Sequence, residues 1–152
     1  AYIDGFHGDA ARTFGVGQIS EQRQRLIDIT KESFFEGVKL VKVGNYLNKV
    51  SAAIQDYVES NGYGVVRDYV GHGIGRDMHE DPEIPNYRTG RPGPKLVKGM
   101  TFAIEPMVTV GTYKVHTLPN RWTVVTNDGC DSAHYENTVL VTDNEPELLT
   151  LV

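Results

Sequence analysis

At 152 residues, with 39% hydrophobic and 23% charged side chains, the chain has the size and balance of one soluble globular domain. A domain of that length buries roughly 70% of the surface its unfolded form exposes. The net charge of −5 gives no electrostatic reason for nucleic acid as a partner, and the lone Cys130 excludes an internal disulfide framework. No apolar run reaches the length of a membrane span, so neither nucleic acid nor membrane is expected as a partner, and the cytoplasm is the expected location.

Residues 1–17 predict a β-hairpin, in which Tyr2-Ile3 and Thr13-Phe14-Val16 flank the turn dipeptide Asp4-Gly5. Ser20 then reads as a helix N-cap, with Glu21 in the first turn where it complements the helix dipole. Leu26, Ile27, Phe34, Val38 and Val41 give that helix an apolar face, and Gly44-Asn45 break it. A second helix carries Leu47, Val50, Ile54, Tyr57 and Val58 on one stripe and stops at Asn61-Gly62.

Beyond Val65-Val66, residues 71–99 are rich in glycine and proline and read as loop and turn, a length expected to be functional or locally packed. Strands are predicted over 101–110, 123–126 and 133–141, with a short last one near 148–151. Strands, two helices and then strands argue for an α+β fold, with helices on one face of a curved antiparallel sheet.

Several side chains stand out chemically. Asp9, in Asp4-Gly5-Phe6-His7-Gly8-Asp9, reads by itself as a turn aspartate or as a ligand. His72 lies between Gly71 and Gly73, with Gly75 beyond, where glycine permits unusual backbone angles and close approach. Glu105 sits in the apolar Phe102-Ala103-Ile104-Glu105-Pro106-Met107, where an unpaired carboxylate costs several kcal/mol; a metal or a buried Arg or Lys would relieve it. Period-two geometry puts His134, Glu136 and Thr138 on one strand face, opposite Tyr135, Asn137 and Val139. Carboxylates and one imidazole suit hard or borderline divalent ions: Co, Mn, Fe or Zn. Cys130 has no Cys-His motif around it and reads as a structural thiol.

In order and wording these segments resemble the type I methionine aminopeptidases of the M24 metallopeptidase family, which have the pita-bread fold. Gly71-His72-Gly73-Ile74-Gly75-Arg76, then Met78-His79-Glu80 and Pro85-Asn86-Tyr87, carry the resemblance, with Gly99-Met100-Thr101 ahead of Glu105-Pro106. Prolidase and aminopeptidase P relatives share the ligand order but usually place glycine where this chain has Met107.

The resemblance implies that Asp9 and Glu136 bridge two metal ions and that His72 and Glu105 complete the first ion's shell. Such ions, about 3.5–4 Å apart, activate a water and polarise the carbonyl it attacks. Glu105 would also carry protons, and His79 would stabilise charge on the scissile amide. Met78 and Trp122 would line the pocket for a methionine side chain. The implied activity is removal of the initiator methionine from peptides and nascent proteins; a non-catalytic peptide- or partner-binding module and a prolidase-like peptidase are the alternatives.

The sequence also departs from the family pattern. A first metal-binding aspartate is expected upstream of Asp9 and is not in the chain; Met78 stands where an aromatic residue is common; His134 and Asn137 replace a glutamine and a histidine. The chain is therefore expected to be a single truncated catalytic domain over 1–152 that holds one ion tightly and a second weakly, with reduced or no activity and a tendency to self-associate. His134 is a possible substitute ligand.

Overall fold

The N-terminal turn forms where the dipeptide predicts it, but the hairpin is shorter than expected. In the computed structural model, which describes residues 1–151, β1 (Tyr2–Ile3) and β2 (Phe6–His7) pair around Asp4 and Gly5, both at positive φ. β3 (Ala10–Ala11) leaves the hairpin and pairs instead with a strand near the C-terminus. Thr13, Phe14 and Val16 lie outside any strand, and Phe14 and Val16 are 79% and 90% exposed. The ladder ends after Ala11 because Thr13 Oγ1 makes the next contact, accepting from the backbone N–H of His134 and donating to its carbonyl.

Ser20 caps α1 (Glu21–Val38), its Oγ accepting from the backbone N–H of Arg23 at 3.3 Å. α2 (Leu47–Ser60) buries Leu47, Val50, Ile54 and Val58 along one stripe and ends at Asn61, with Gly62 at φ 84°. The two helices pack closely at Gly37, where a Cβ would sit 2.7 Å from Ile54 Cγ1. Val41 is buried, but it lies past the end of α1.

After β4 (Gly64–Val65), the stretch 71–99 is not wholly loop: it holds β5 (Gly71–Gly73) and β6 (Glu80–Ile84). The glycines that read as turn residues are strand residues under close approach. A Cβ on Gly71 would lie 2.3 Å from the Ala103 carbonyl oxygen, and one on Gly73 would lie 2.3 Å from that of Asp81.

The strand expected over 101–110 splits into β7 (Thr101–Ile104) and β8 (Met107–Thr109) at Glu105-Pro106, since proline supplies no ladder donor. β9 (Val115–Thr117), which no apolar alternation announces, forms a hairpin with β10 (Val124–Thr126). The strand expected over 133–141 is likewise broken, at Tyr135, into β11 (Ser132–His134) and β12 (Glu136–Leu140); β13 (Glu147–Leu148) closes the order slightly before its expected place.

All pairings are antiparallel. One sheet runs β13-β12-β7-β5-β6, with β3 also on β12; a second runs β11-β8-β4. The two breaks face each other, and the Tyr135 N–H donates to the Pro106 carbonyl at 3.3 Å. Phe34, Val50, Ile54, Phe102, Ile104 and Val139 form the larger core, while Leu26, Val58, Val65, Val108 and Ala133 form a smaller one beneath the second sheet.

Gly37→Ala is expected to lower stability by about 1–3 kcal/mol, because Ile54 has no room to yield inside a packed core. Urea unfolding of the metal-free chain measures it; an unchanged midpoint would show that the helix pair can separate freely.

Candidate metal centre

Register places the candidate ligands on adjoining strands. His72 on β5 lies opposite Ala103 of β7, Asn137 of β12 lies opposite Ile104, and Glu136 lies opposite Ala11 of β3. Asp9 is thereby delivered at the start of β3, Glu136 at the start of β12 and Glu105 at the end of β7. One ligand atom each from Asp9, His72 and Glu136 lies within 4.8 Å of the others. Glu105 Oε1 is 3.5 Å from His72 Nε2, and its Oε2 is 3.7 Å from His134 Nε2.

Each position is fixed by polar contacts, and of the carboxylate oxygens only Asp9 Oδ1 is engaged among the described residues, accepting from the Ala10 N–H at 3.0 Å. Asp9 is pinned through its backbone, the N–H donating to Thr138 Oγ1 at 2.8 Å and the carbonyl accepting from the same hydroxyl at 3.0 Å. His72 Nδ1 donates to the Gly73 carbonyl at 2.8 Å, which fixes the ring and turns Nε2 inward. The Glu105 carbonyl accepts from Asn86 Nδ2 at 3.1 Å. The Glu136 carbonyl accepts from Arg12, whose guanidinium lies 4.2 Å over the Tyr135 ring and donates to Asn137 Oδ1 at 2.7 Å. Sequence reading did not single out Arg12, and it named Asn86 and Thr138 without these contacts, because the partners are remote groups that no periodicity reveals.

Electrostatics identify what the cluster lacks. Burial, then Glu136, then Asp9 push the Glu105 carboxyl up to about 8. Burial and then Asp9 raise Glu136 to about 7, against the Arg12 charge. Burial lowers His134, partly opposed by Asp9. Among the described residues no Lys or Arg side chain pairs with the carboxylate of Asp9, Glu105 or Glu136. The buried-cation explanation for Glu105 is therefore not realised, and a donor set of three carboxylates and one imidazole fits a divalent ion.

These residues open onto a cleft of about 780 Å³, lined also by His79, Tyr69, Met107, Val115 and Val124. The His79 ring stands edge-on to that of His72, with centroids 4.3 Å apart. Met78 and Trp122, for which the resemblance implies a pocket role, do not border this cleft: Met78 lies in the bend between β5 and β6, and Trp122, 87% exposed, sits in the loop that joins β9 to β10. Arg121, at φ 60°, turns the chain there, and the Trp122 N–H is held by Asn120 Oδ1.

A model of metallopeptidase family M24 matches residues 1–143. The chain is 65% identical to a methionine aminopeptidase of Clostridium acetobutylicum over 153 residues, which covers 99% of this chain and 60% of that one. Against methionine aminopeptidase 1 of Bacillus subtilis it is 48% identical over 152 residues, covering 100% and 61%. The crystal structure of a methionine aminopeptidase from Thermotoga maritima superposes with a TM-score of 0.94 at 49% identity, covering 98% of this chain and 60% of that one. The prolidase from Pyrococcus furiosus gives 0.73 at 26% identity, covering 98% and 38%. The fold is thus the pita-bread fold, and the chain spans about 60% of the length of these curated relatives.

Glu105 and Glu136 carry pKa values raised above the ordinary 4.5, so their protonation favours the metal-free fold below that pH. That contribution disappears as pH rises through about 7 and 8. A divalent ion takes the place of the protons. The rise in Tm on saturation with manganese is therefore expected to be larger at pH 8 than at pH 5.5. An equal rise at both would mean that binding does not displace protons from these carboxyls.

Proposed function

The chain belongs to metallopeptidase family M24, and from that premise we propose that its cleft serves a metal-dependent aminopeptidase that releases methionine from the N-termini of peptides and nascent proteins. The observation carrying this reading is the meeting of Asp9, His72 and buried Glu136 without a Lys or Arg partner among the described residues, with Glu105 against His72 and His79 beside it. Asp9, His72, Glu105 and Glu136 hold the metal; cobalt, manganese, iron and zinc all suit this donor set, and these four residues are sufficient for one tightly held ion. A bound divalent ion supplies Lewis acidity, lowering the pKa of water and polarising a carbonyl.

The remaining work falls to side chains of this chain. Glu105, in the cleft beside His72, is placed to accept a proton and return it to the leaving amine. His79, on the cleft wall against His72, donates to the scissile amide as charge develops there. Glu80, Asp81 and Glu83, which line the cleft outside the ion's donor set, give it a negative field that favours a peptide's α-ammonium group. Val66, Val70 and Met107 supply the apolar wall for a thioether. Self-association is also part of the reading, supported by the exposure of Tyr2, Ile3, Phe6, Phe14 and Val16.

The manganese-loaded chain is expected to release methionine from Met-Ala-Ser at a rate reduced by the weakly held second ion, and to leave Ala-Pro intact. Glu105→Gln should cut kcat by about 10²–10⁴, and His79→Ala by about 10²–10³. Peptide binding without turnover would move the assignment to a non-catalytic binding module, and cleavage of Ala-Pro in preference would move it to the prolidase branch.

A further inference from the structure

His134 carries a buried nitrogen with no partner. Among the described residues no hydrogen-bonding group reaches its Nε2, although buried ring nitrogens in native proteins are almost always paired. Among the described residues the carboxylate facing it is that of Glu105, with Oε2 at 3.7 Å, about 0.8 Å beyond an ordinary N–H···O bond. The other carboxylate oxygen, Oε1, faces His72.

The aim of the ring is built in. Thr13 Oγ1 holds both the N–H and the carbonyl of His134, each at 2.9 Å, which locks the backbone of β11 at that residue. On the ladder His134 lies opposite Met107, two positions beyond Glu105, so ring and carboxylate share the seam between the two sheets. His134 does not belong to the group formed by Asp9, His72 and Glu136.

We propose that His134 is a positioning residue for Glu105: its Nε2–H donates to Oε2 and presents Oε1 to the metal. This rests on the metal-centre reading above and replaces the possibility that His134 is a substitute ligand. A neutral imidazole donating to a ligand carboxylate fixes its rotamer and raises its basicity, the usual task of groups behind a metal shell. Glu105 has no other side-chain partner for Oε2, so without His134 the carboxylate is free to rotate away from His72.

The test is cobalt(II) binding to the whole chain by calorimetry, together with proton NMR of the cobalt-loaded protein. His134→Ala should weaken binding about tenfold. His134→Gln, which restores an Nε2–H at a similar reach, should recover most of that loss. Circular dichroism of the metal-free variants separates this from misfolding, and His134→Gln still reports if the alanine variant does not fold. One hyperfine-shifted exchangeable ring proton, from His72, is expected in the parent and in both variants. A second shifted ring proton, lost in His134→Ala, would make His134 a ligand and overturn the proposal. Equal affinity in all three chains, or no recovery with glutamine, would also overturn it. Failure of the parent to bind cobalt would overturn the metal-centre reading itself.

Discussion

Repulsion among converging carboxylates is the constraint around which this molecule is arranged. Burial disfavours the charges of Glu105 and Glu136; Glu136 and Asp9 raise the proton affinity of Glu105, and Asp9 raises that of Glu136. Bringing such groups together is costly unless a proton or a cation compensates them. Protons do so only in part near neutrality, because the raised values are about 8 and 7. Arg12 is close enough to compensate, yet its guanidinium is spent on backbone carbonyls, on Asn137 and on the Tyr135 ring. It steadies the scaffold and leaves the ligand oxygens open to an ion.

That arrangement depends on two interruptions in the sheet. A continuous strand over 101–110 would pair Glu105 and Pro106 along a ladder, and a continuous 133–141 would do the same for Tyr135. Proline breaks the first, and the second breaks opposite it, the Tyr135 N–H finding the Pro106 carbonyl. The seam between the two sheets falls there, and Glu105, His134 and Glu136 all border it. Tyr135 itself turns into the helix core, its ring 5.2 Å from that of Phe34. One residue therefore couples packing under α1 to the geometry of the carboxylates.

Legibility in the sequence followed how local each signal was. The two helices were readable because capping at Ser20 and the stripe of Leu47, Val50, Ile54 and Val58 are properties of neighbouring residues. Asp9, His72, Glu105 and Glu136 were readable as ligand types, and motif resemblance ordered them. β5 and β6 were hidden because glycine serves both turns and close backbone approach, and only the facing strand distinguishes the two uses. The same holds for Arg12 and Thr138, whose partners lie more than a hundred residues away. Trp122 shows the converse: its residue type suited an apolar wall, while the turn at Arg121 carries it outward.

The candidate ligands and most of the cleft wall are built on different parts of the chain. Asp9 and Glu136 stand at the starts of β3 and β12, His72 on β5 and Glu105 just past β7, in a sheet whose fold resembles that of a prolidase at 26% identity. Beside the 79–83 stretch, which enters the same sheet at β6, the wall comes from the 66–71 segment, from Met107 and from the β9–β10 hairpin, through Val115, Val124 and Thr126. A hydrogen bond between Tyr69 Oη and Thr117 Oγ1, 3.1 Å apart, ties that hairpin to the segment beside the cleft. A sheet fixed by carboxylate chemistry can keep its ion site while the hairpin and the segment before His72 change shape. Under the proposed function the sheet would carry the reaction and the walls the choice of side chain. Val66, Val70, Met107, Val115 and Val124 give those walls their apolar part, while Glu80, Asp81 and Glu83 add to the acidic character of the cleft.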